Sequence, residues 1–224
     1  MKLSRAKYEI IQLPDEGVLK MIEKVARTCY KSEYKITEDD SSAKDLVQKL
    51  LNRGHYAMIE FADMTIKFTV DRGVSHELVR HRLCSFAQES TRYCNYKGGV
   101  EFIIPQWMPE YLPDDDAGCG TDDIWWETYR EIKDPKLVWL NSMQVAENNY
   151  LELLNKGWSP QQARSVLPNS LKTEINMKAN FREWREIFKQ RVAEAAHPQM
   201  REVMRPLLDE IKTKVPLIFD DINY

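Results

Sequence analysis

The stretch "DMTIKFTVD", Asp63 to Asp71, constrains the fold most, because Met64, Ile66, Phe68 and Val70 alternate with Thr65, Lys67 and Thr69. Successive side chains of a strand point to opposite faces, so alternation of this kind demands a sheet with one face on a core. A helix would scatter the same four apolar residues around its circumference. A short opening strand is also expected at "KYEIIQL", and a short apolar one within "GGVEFIIPQW", after a glycine turn.

Elsewhere the apolar spacing is helical. In "VLKMIEKVARTCY", Leu19, Ile22, Val25, Ala26 and Cys29 share a face. A second helix is expected to start at Ser42, with Asp45 three residues on, to bury Leu46, Leu50 and Leu51, and to stop at Gly54. After a turn at Asp71 to Gly73, Val74, Leu78 and Leu83 outline a helix that carries Arg80, His81 and Arg82 at or near its end. The Pro- and Asp-rich stretch from about 105 to 120, with "DDDAGCG" at its centre, reads as an exposed insertion. The remainder reads as helical: a run from Asp122 to Lys156 broken near Asp134-Pro135, a helix opened by Ser159-Pro160, and two more around "NFREWREIFKQRVAEAA" and "PQMREVMRPLLDEIKTK". Strands first and helices later predict an α+β fold: a single domain over residues 1–224, with a central, mostly antiparallel sheet covered by helices and a helical C-terminal half.

A length of 224 residues suits one well-buried core, and 43% hydrophobic with 30% charged residues suits a folded globular chain. No apolar run approaches the roughly 18 residues of a membrane helix, and no signal-peptide core opens the sequence, so a cytoplasmic location is expected. A net charge of −3 gives no general attraction for a polyanion, so any phosphate site must be local. Cys29, Cys84, Cys94 and Cys119 form no C-x-x-C pair and are expected as free thiols.

Chemistry concentrates in "RHRLCSFAQESTRYC", Arg80 to Cys94. Ser90 invites a nucleophile reading, but it sits in "QESTR" rather than G-x-S-x-G. His76 and His81 are five apart and miss the H-E-x-x-H spacing of a metal site. Arginine offers a planar fork of donors that pairs bidentately with phosphate, so Arg80, Arg82 and Arg92, with the hydroxyls of Ser90 and Thr91, can cradle a phosphate ester. The same arginines could instead lie on a solvated face, pairing with Glu77 and Glu89. Phe86, Tyr93 and Tyr96 would suit a nucleic-acid track, yet one short basic segment on an acidic chain fits a mononucleotide better. A second basic set follows at Arg164, Arg182, Arg185 and Arg191; Asn180 and Arg182 open a helix, and Asn180 to Arg191 spans about three turns. Its apolar face is Phe181, Trp184, Ile187, Phe188 and Val192.

These segments together resemble the flavin-dependent thymidylate synthases. "RHRLCSFAQESTRY" fits that family's R-H-R-x7-S signature, "GHYAMIE" its G-H-x-x-x-x-E stretch with His55 and Glu60 in place, "ARSVLP" its A-R-x-V-L-P segment, and "ANFREWREIFKQR" its N-x-R helix ending in arginine. The resemblance implies reductive methylation of dUMP to dTMP, with methylenetetrahydrofolate as carbon donor, FAD as hydride carrier and NADPH as reductant. It implies dUMP contacts at Arg80, Gln88, Glu89, Ser90, Thr91, Arg92, Arg164 and Arg191, with Arg191 the activating, catalytic residue. It implies FAD contacts at His55, Ala57, Arg80, His81, Arg82, Gln88, Asn180, Arg182 and Glu186. It also implies small-molecule partners and a homotetramer whose sites combine residues from several subunits; the spacing, hydropathy and charge read above lead us to expect no metal, no membrane and no nucleic-acid polymer. No G-x-G-x-x-G motif appears, so the flavin rests on the resemblance alone. The chain departs from the family pattern in places: Ala87 and Gln88 stand where many members have asparagine and glutamate, Glu77 where some have glutamine, Glu186 where some have asparagine, and Phe61 in place of a second histidine. Two other readings of the same cradle are a nucleotide-binding protein without turnover and a phosphate-ester hydrolase using Ser90.

Overall fold

A computed structural model describes residues 1–15, 17–108 and 134–224. Its strands are β1 (Lys2–Ser4), β2 (Lys7–Gln12), β3 (Asp63–Asp71), β4 (Ser85–Gln88), β5 (Glu101–Ile103) and β6 (Lys172–Asn180). Its α-helices are α1 (Val18–Thr28), α2 (Ser41–Asn52), α3 (Arg72–Leu78), α4 (Pro135–Asn155), α5 (Pro160–Ala163), α6 (Phe181–Arg191) and α7 (Pro198–Lys214). Short 3-10 segments lie at Glu33–Lys35, Tyr56–Phe61 and Arg164–Val166. The class is α+β, with an antiparallel four-stranded sheet in the order β2-β3-β6-β4 and a parallel pair, β1 with β5. β3 has the bounds the alternation predicts, and Met64, Ile66, Phe68 and Val70 are all fully buried.

The chain forms two compact units: Met1–Ala6 with Thr69–His76 and Gln88–Glu174, and Lys7–Phe68 with Glu77–Ala87 and Ile175–Tyr224. In the first, one face of α4 presents Met143, Ala146, Tyr150 and Leu154 to Val100, Phe102, Ala163 and Leu171. The break expected near Asp134-Pro135 is where α4 starts: Asp134 accepts from the Lys136 amide at 2.9 Å, and Pro135 fills a first-turn position that needs no donor. The residues expected as its earlier turns, 122–133, lie outside those described, as does most of the expected insertion. At 105–108 the chain is held by Arg5, whose guanidinium donates to the carbonyls of Pro105 at 3.1 Å and Met108 at 3.0 Å.

In the second unit the apolar face of α6 is the one its spacing predicts. Phe181, Trp184, Ile187, Phe188 and Val192 are fully buried. Phe219 meets Phe181 and Phe188 edge-on at 5.3 and 5.6 Å, the arrangement that ring quadrupoles favour, and the Trp184 indole donates to the Met64 carbonyl at 3.1 Å. Arg185 is buried on the same helix. Its guanidinium pairs with both Asp221 oxygens at 2.6 Å, donates to the Ile218 carbonyl and lies 5.0 Å from the Tyr56 ring, tying the last residues of the chain to α6.

Four local expectations need correction. Residues 172–180, expected as helix, are β6: Thr173, Ile175, Met177 and Ala179 are buried while their neighbours face outward, a period of two that outweighs the helix-forming Lys, Glu and Met. No turn separates β3 from α3, because Asp71 accepts from the Val74 amide at 2.6 Å and caps the helix directly. Gly73 permits this fold-back, since a Cβ there would lie 3.2 Å from the Asp71 carboxylate. Leu83 is 77% exposed, beyond the end of α3, and joins no apolar face. Ser42 does not cap α2; its hydroxyl accepts from the Thr37 amide at 2.9 Å and donates to Glu23 at 3.0 Å. The stop at Gly54 stands, with φ +67° in the left-handed conformation that terminates helices. The short strands β1 and β4 carried too few residues to show a period. Among the described residues, no helix is long and apolar enough to cross a membrane.

Candidate functional site

In the second unit, α6, the Glu77 end of α3 and the segment after it build one polar cluster. Asn180 caps α6 by accepting from the Glu183 amide at 2.9 Å, which fixes the helix phase and sets Arg191 at its last turn. There the Arg191 guanidinium has three acceptors: Nη1 donates to the Glu77 carboxylate at 2.7 Å, Nη2 to the Glu77 carbonyl at 3.1 Å, and Nε to His81 Nε2 at 2.9 Å. Because His81 Nε2 accepts, the hydrogen-bond network places the ring proton on Nδ1, which faces Glu183 at 3.9 Å. His81 is 7% exposed, and burial first, then the Arg191 charge, pull its pKa down to about 4. It is therefore neutral at pH 7. Burial and Glu186 push the Glu183 carboxyl up, while burial and Glu183 push the Cys84 thiol up to about 12, which leaves it unreactive.

The other second-unit residues expected to meet the flavin are exposed. His55 and Ala57 lie at the start of the Tyr56–Phe61 turn, and Arg182 donates to Glu60 at 2.6 Å. Glu186 is paired with Lys189 at 3.0 Å. Arg80 and Arg82 follow α3 with exposed side chains that make no ion pair or hydrogen bond among the described residues. Neither pairs with Glu77, which belongs to Arg191.

In the first unit the expected nucleotide residues form a second set. The Thr91 hydroxyl, on a buried residue, accepts from Arg164 Nη1 at 2.9 Å; Arg164 is held out by the turn after α5, whose Ser159 and Gln162 form a capping box. Arg92 is exposed, with its guanidinium 5.3 Å from the Tyr93 ring. The Gln88 amide donates to Ser75 at 3.0 Å and Thr173 at 3.3 Å. Ser90 accepts from the Arg92 amide at 3.3 Å, and among the described residues no histidine bonds to it. Glu89 is tied up within the protein. One oxygen accepts from Tyr96 at 2.7 Å, the other from Lys172 at 3.4 Å and the Glu174 amide at 3.3 Å, and burial with Glu89 pushes the Tyr96 phenol up.

Two residues matter more here than the sequence suggested. Glu77 appeared as a partner for surface arginines and as a departure from the family pattern, although it lies four residues before His81, and Glu60 was visible only as a motif position. Neither long-range pairing leaves a spacing signal, since Arg191 is 114 residues from Glu77 and Arg182 is 122 from Glu60.

Comparison with known proteins bears on the whole chain. A family model described as thymidylate synthase complementing protein matches residues 11–217. The flavin-dependent thymidylate synthase of Corynebacterium efficiens is 30% identical over 212 residues, covering 92% of this chain and 80% of the relative. That of Corynebacterium aurimucosum is 29% identical over 217 residues, covering 93% and 83%. Among solved structures, the UMP/dUMP methylase PolB from Streptomyces cacaoi, bound with 5-Br dUMP, superposes with a TM-score of 0.74 at 22% identity, over 98% of this chain and 96% of that one. Thymidylate synthase X from Helicobacter pylori, with FAD and dUMP, gives 0.72 at 21%, over 97% and 98%. The structures speak for the fold, the family match and the sequence identity for descent: this chain belongs to the flavin-dependent thymidylate synthase family.

Proposed function

We propose that this chain is an FAD-dependent thymidylate synthase that methylates dUMP reductively to dTMP in the cytoplasm, taking its carbon from methylenetetrahydrofolate and its electrons from NADPH. The observation that carries the reading is the cluster at Arg191, a preorganised guanidinium held by a neutral histidine and a carboxylate. Uracil is a poor carbon nucleophile at C5. A fixed cation that stabilises negative charge on the ring lowers that barrier, and being fixed beforehand it needs no reorganisation during the reaction.

The donor set also fits a flavin dinucleotide. Arg80 and Arg82 are exposed and unpaired among the described residues, and Arg182 has only an exposed glutamate. Such guanidinium groups suit a diphosphate. Together with His55, Ala57, His81, Asn180 and Glu186, and with Gln88 of the first unit, they are the residues we assign to FAD, which when bound supplies the hydride. For dUMP we assign Arg80, Gln88, Glu89, Ser90, Thr91, Arg92, Arg164 and Arg191, with Glu89 also holding the Glu174 amide. We further infer a homotetramer with sites that combine residues of several subunits.

The test is dTMP formation from dUMP, methylenetetrahydrofolate, FAD and NADPH, omitting each in turn. Product that depends on every component is expected; a protein that binds dUMP but takes up no FAD is a nucleotide-binding protein instead. In Arg191→Ala, kcat should fall by more than dUMP affinity, because the charge matters most in the transition state. Unchanged kcat removes Arg191 from the catalytic role.

A further inference from the structure

Ser90, Thr91 and Arg92 sit on a loop of the first unit that leaves β4 after Gln88 and meets that unit's core at Tyr96. Its start is fixed to β6, because the Glu89 amide donates to the Glu174 carbonyl at 2.8 Å. In an antiparallel pair the return bond would go to the main chain of Glu89. Here the Glu174 amide donates instead to the Glu89 carboxylate at 3.3 Å, so the side chain takes the acceptor's place and the backbone can turn away. The far end rests on α4, where the Tyr96 amide donates to the Tyr150 hydroxyl at 3.4 Å and the two rings lie 5.9 Å apart. Between the ends, the Ser90 carbonyl accepts from the Tyr93 and Cys94 amides at 3.1 and 2.9 Å.

One short bond joins the two ends: the Tyr96 hydroxyl donates to the Glu89 carboxylate at 2.7 Å, across seven residues. A hydroxyl bonds more strongly to a carboxylate than to a neutral acceptor. Burial first, then the Glu89 contact, push the phenol up, so the donor keeps its proton. Lys172 bonds the other Glu89 oxygen at 3.4 Å and Glu174 at 2.8 Å, which offsets one of the two negative charges. A carboxylate has about four acceptor sites, so a place remains on Glu89 for a ligand. We propose that Tyr96 is a positioning residue for the nucleotide: its hydroxyl clasps the loop carrying Ser90, Thr91 and Arg92 into the shape that receives dUMP, without touching dUMP, an inference that rests on this loop binding dUMP.

An open loop samples many conformations, and a ligand that needs three of its residues together must offset the cost of selecting one. Joining the ends beforehand removes part of that cost from the binding step. The benefit of the clasp therefore falls on dUMP affinity. Arg191, assigned to activate the ring, is not on this loop, so turnover at saturating dUMP should not depend on the hydroxyl. A residue lending only general support to the fold would behave differently. Its loss would lower the amount of folded protein and leave the affinity of each folded molecule unchanged.

The experiment compares wild type with Tyr96→Phe, FAD present, since phenylalanine keeps the ring against Tyr150 and loses only the hydroxyl. Calorimetric dUMP affinity and the KM for dUMP should both weaken about fivefold or more, while kcat stays within twofold. Hydrogen exchange across residues 91–97, followed by mass spectrometry, should run about threefold faster or more in the free variant and return to the wild-type rate when dUMP saturates it. An affinity within twofold of wild type, a kcat loss larger than the affinity loss, or unchanged loop exchange overturns the proposal. Lys172→Met, which releases the other Glu89 oxygen, carries the test through the same exchange measurement if Tyr96→Phe does not fold, and unchanged exchange there overturns it equally. If the wild-type protein binds no dUMP, the proposed function falls instead, and exchange in the free protein still decides whether Tyr96 closes the loop.

Discussion

Replacing His81 with glutamine should flatten the acid limb of the stability profile. In the folded chain His81 titrates near 4, held down by burial and by Arg191; in the unfolded chain it returns to about 6.5. Between these two values the unfolded state binds a proton that the folded state refuses, so stability falls as the pH drops through that window. Above about 6.5 nothing is lost, and below about 4 the loss is complete. The gap corresponds to roughly 3 kcal/mol in full and about 2 kcal/mol by pH 5. With the ring 7% exposed, solvent screening removes little of it. Glutamine can still accept from Arg191 Nε through its side-chain oxygen and does not titrate. Urea unfolding at pH 7.5 and pH 5, at one protein concentration, gives the comparison. Wild type should lose about 2 kcal/mol more across the interval than His81→Gln, because carboxylate titrations common to both cancel in the difference. Equal losses would refute the placement of a neutral histidine against Arg191.

Phe188→Ala should destabilise by about 3–5 kcal/mol in thermal or urea unfolding, since the ring is fully buried between Trp184 and Phe219. Tyr96→Phe removes the 2.7 Å donor to Glu89 and leaves a half-buried carboxylate oxygen short of a partner, which should cost about 1–3 kcal/mol in urea unfolding.

The sequence was most readable where one period governs many residues. β3 and α6 each carry at least four apolar residues in strict register, and both were expected with their observed faces. β6 has the same alternation, but its apolar residues are interrupted by Lys, Glu and Asn and bounded by helical stretches, so propensity masked the period. The site divided along another line. Its residue types were legible, because arginines, hydroxyls and a signature spacing are local. Their partners were not: His81 meets Arg191 across 110 residues, and only the fold brings them together. Glu89 is the same case: its bonds to Tyr96, Lys172 and the Glu174 amide join residues 7 to 85 apart in sequence, which no local spacing shows.

β6 runs into α6 without a loop, Asn180 being both the last strand residue and the helix cap. The consequence is that positions here are counted, not merely filled. Deleting one residue from the strand would exchange its two faces, and adding one before Arg191 would turn that residue by about 100° around the helix. In a codon-deletion scan, single-residue losses between 172 and 191 should therefore be far more damaging than substitutions at the same exposed positions. Descendants of this chain can vary there by replacement, but their length over that stretch is fixed.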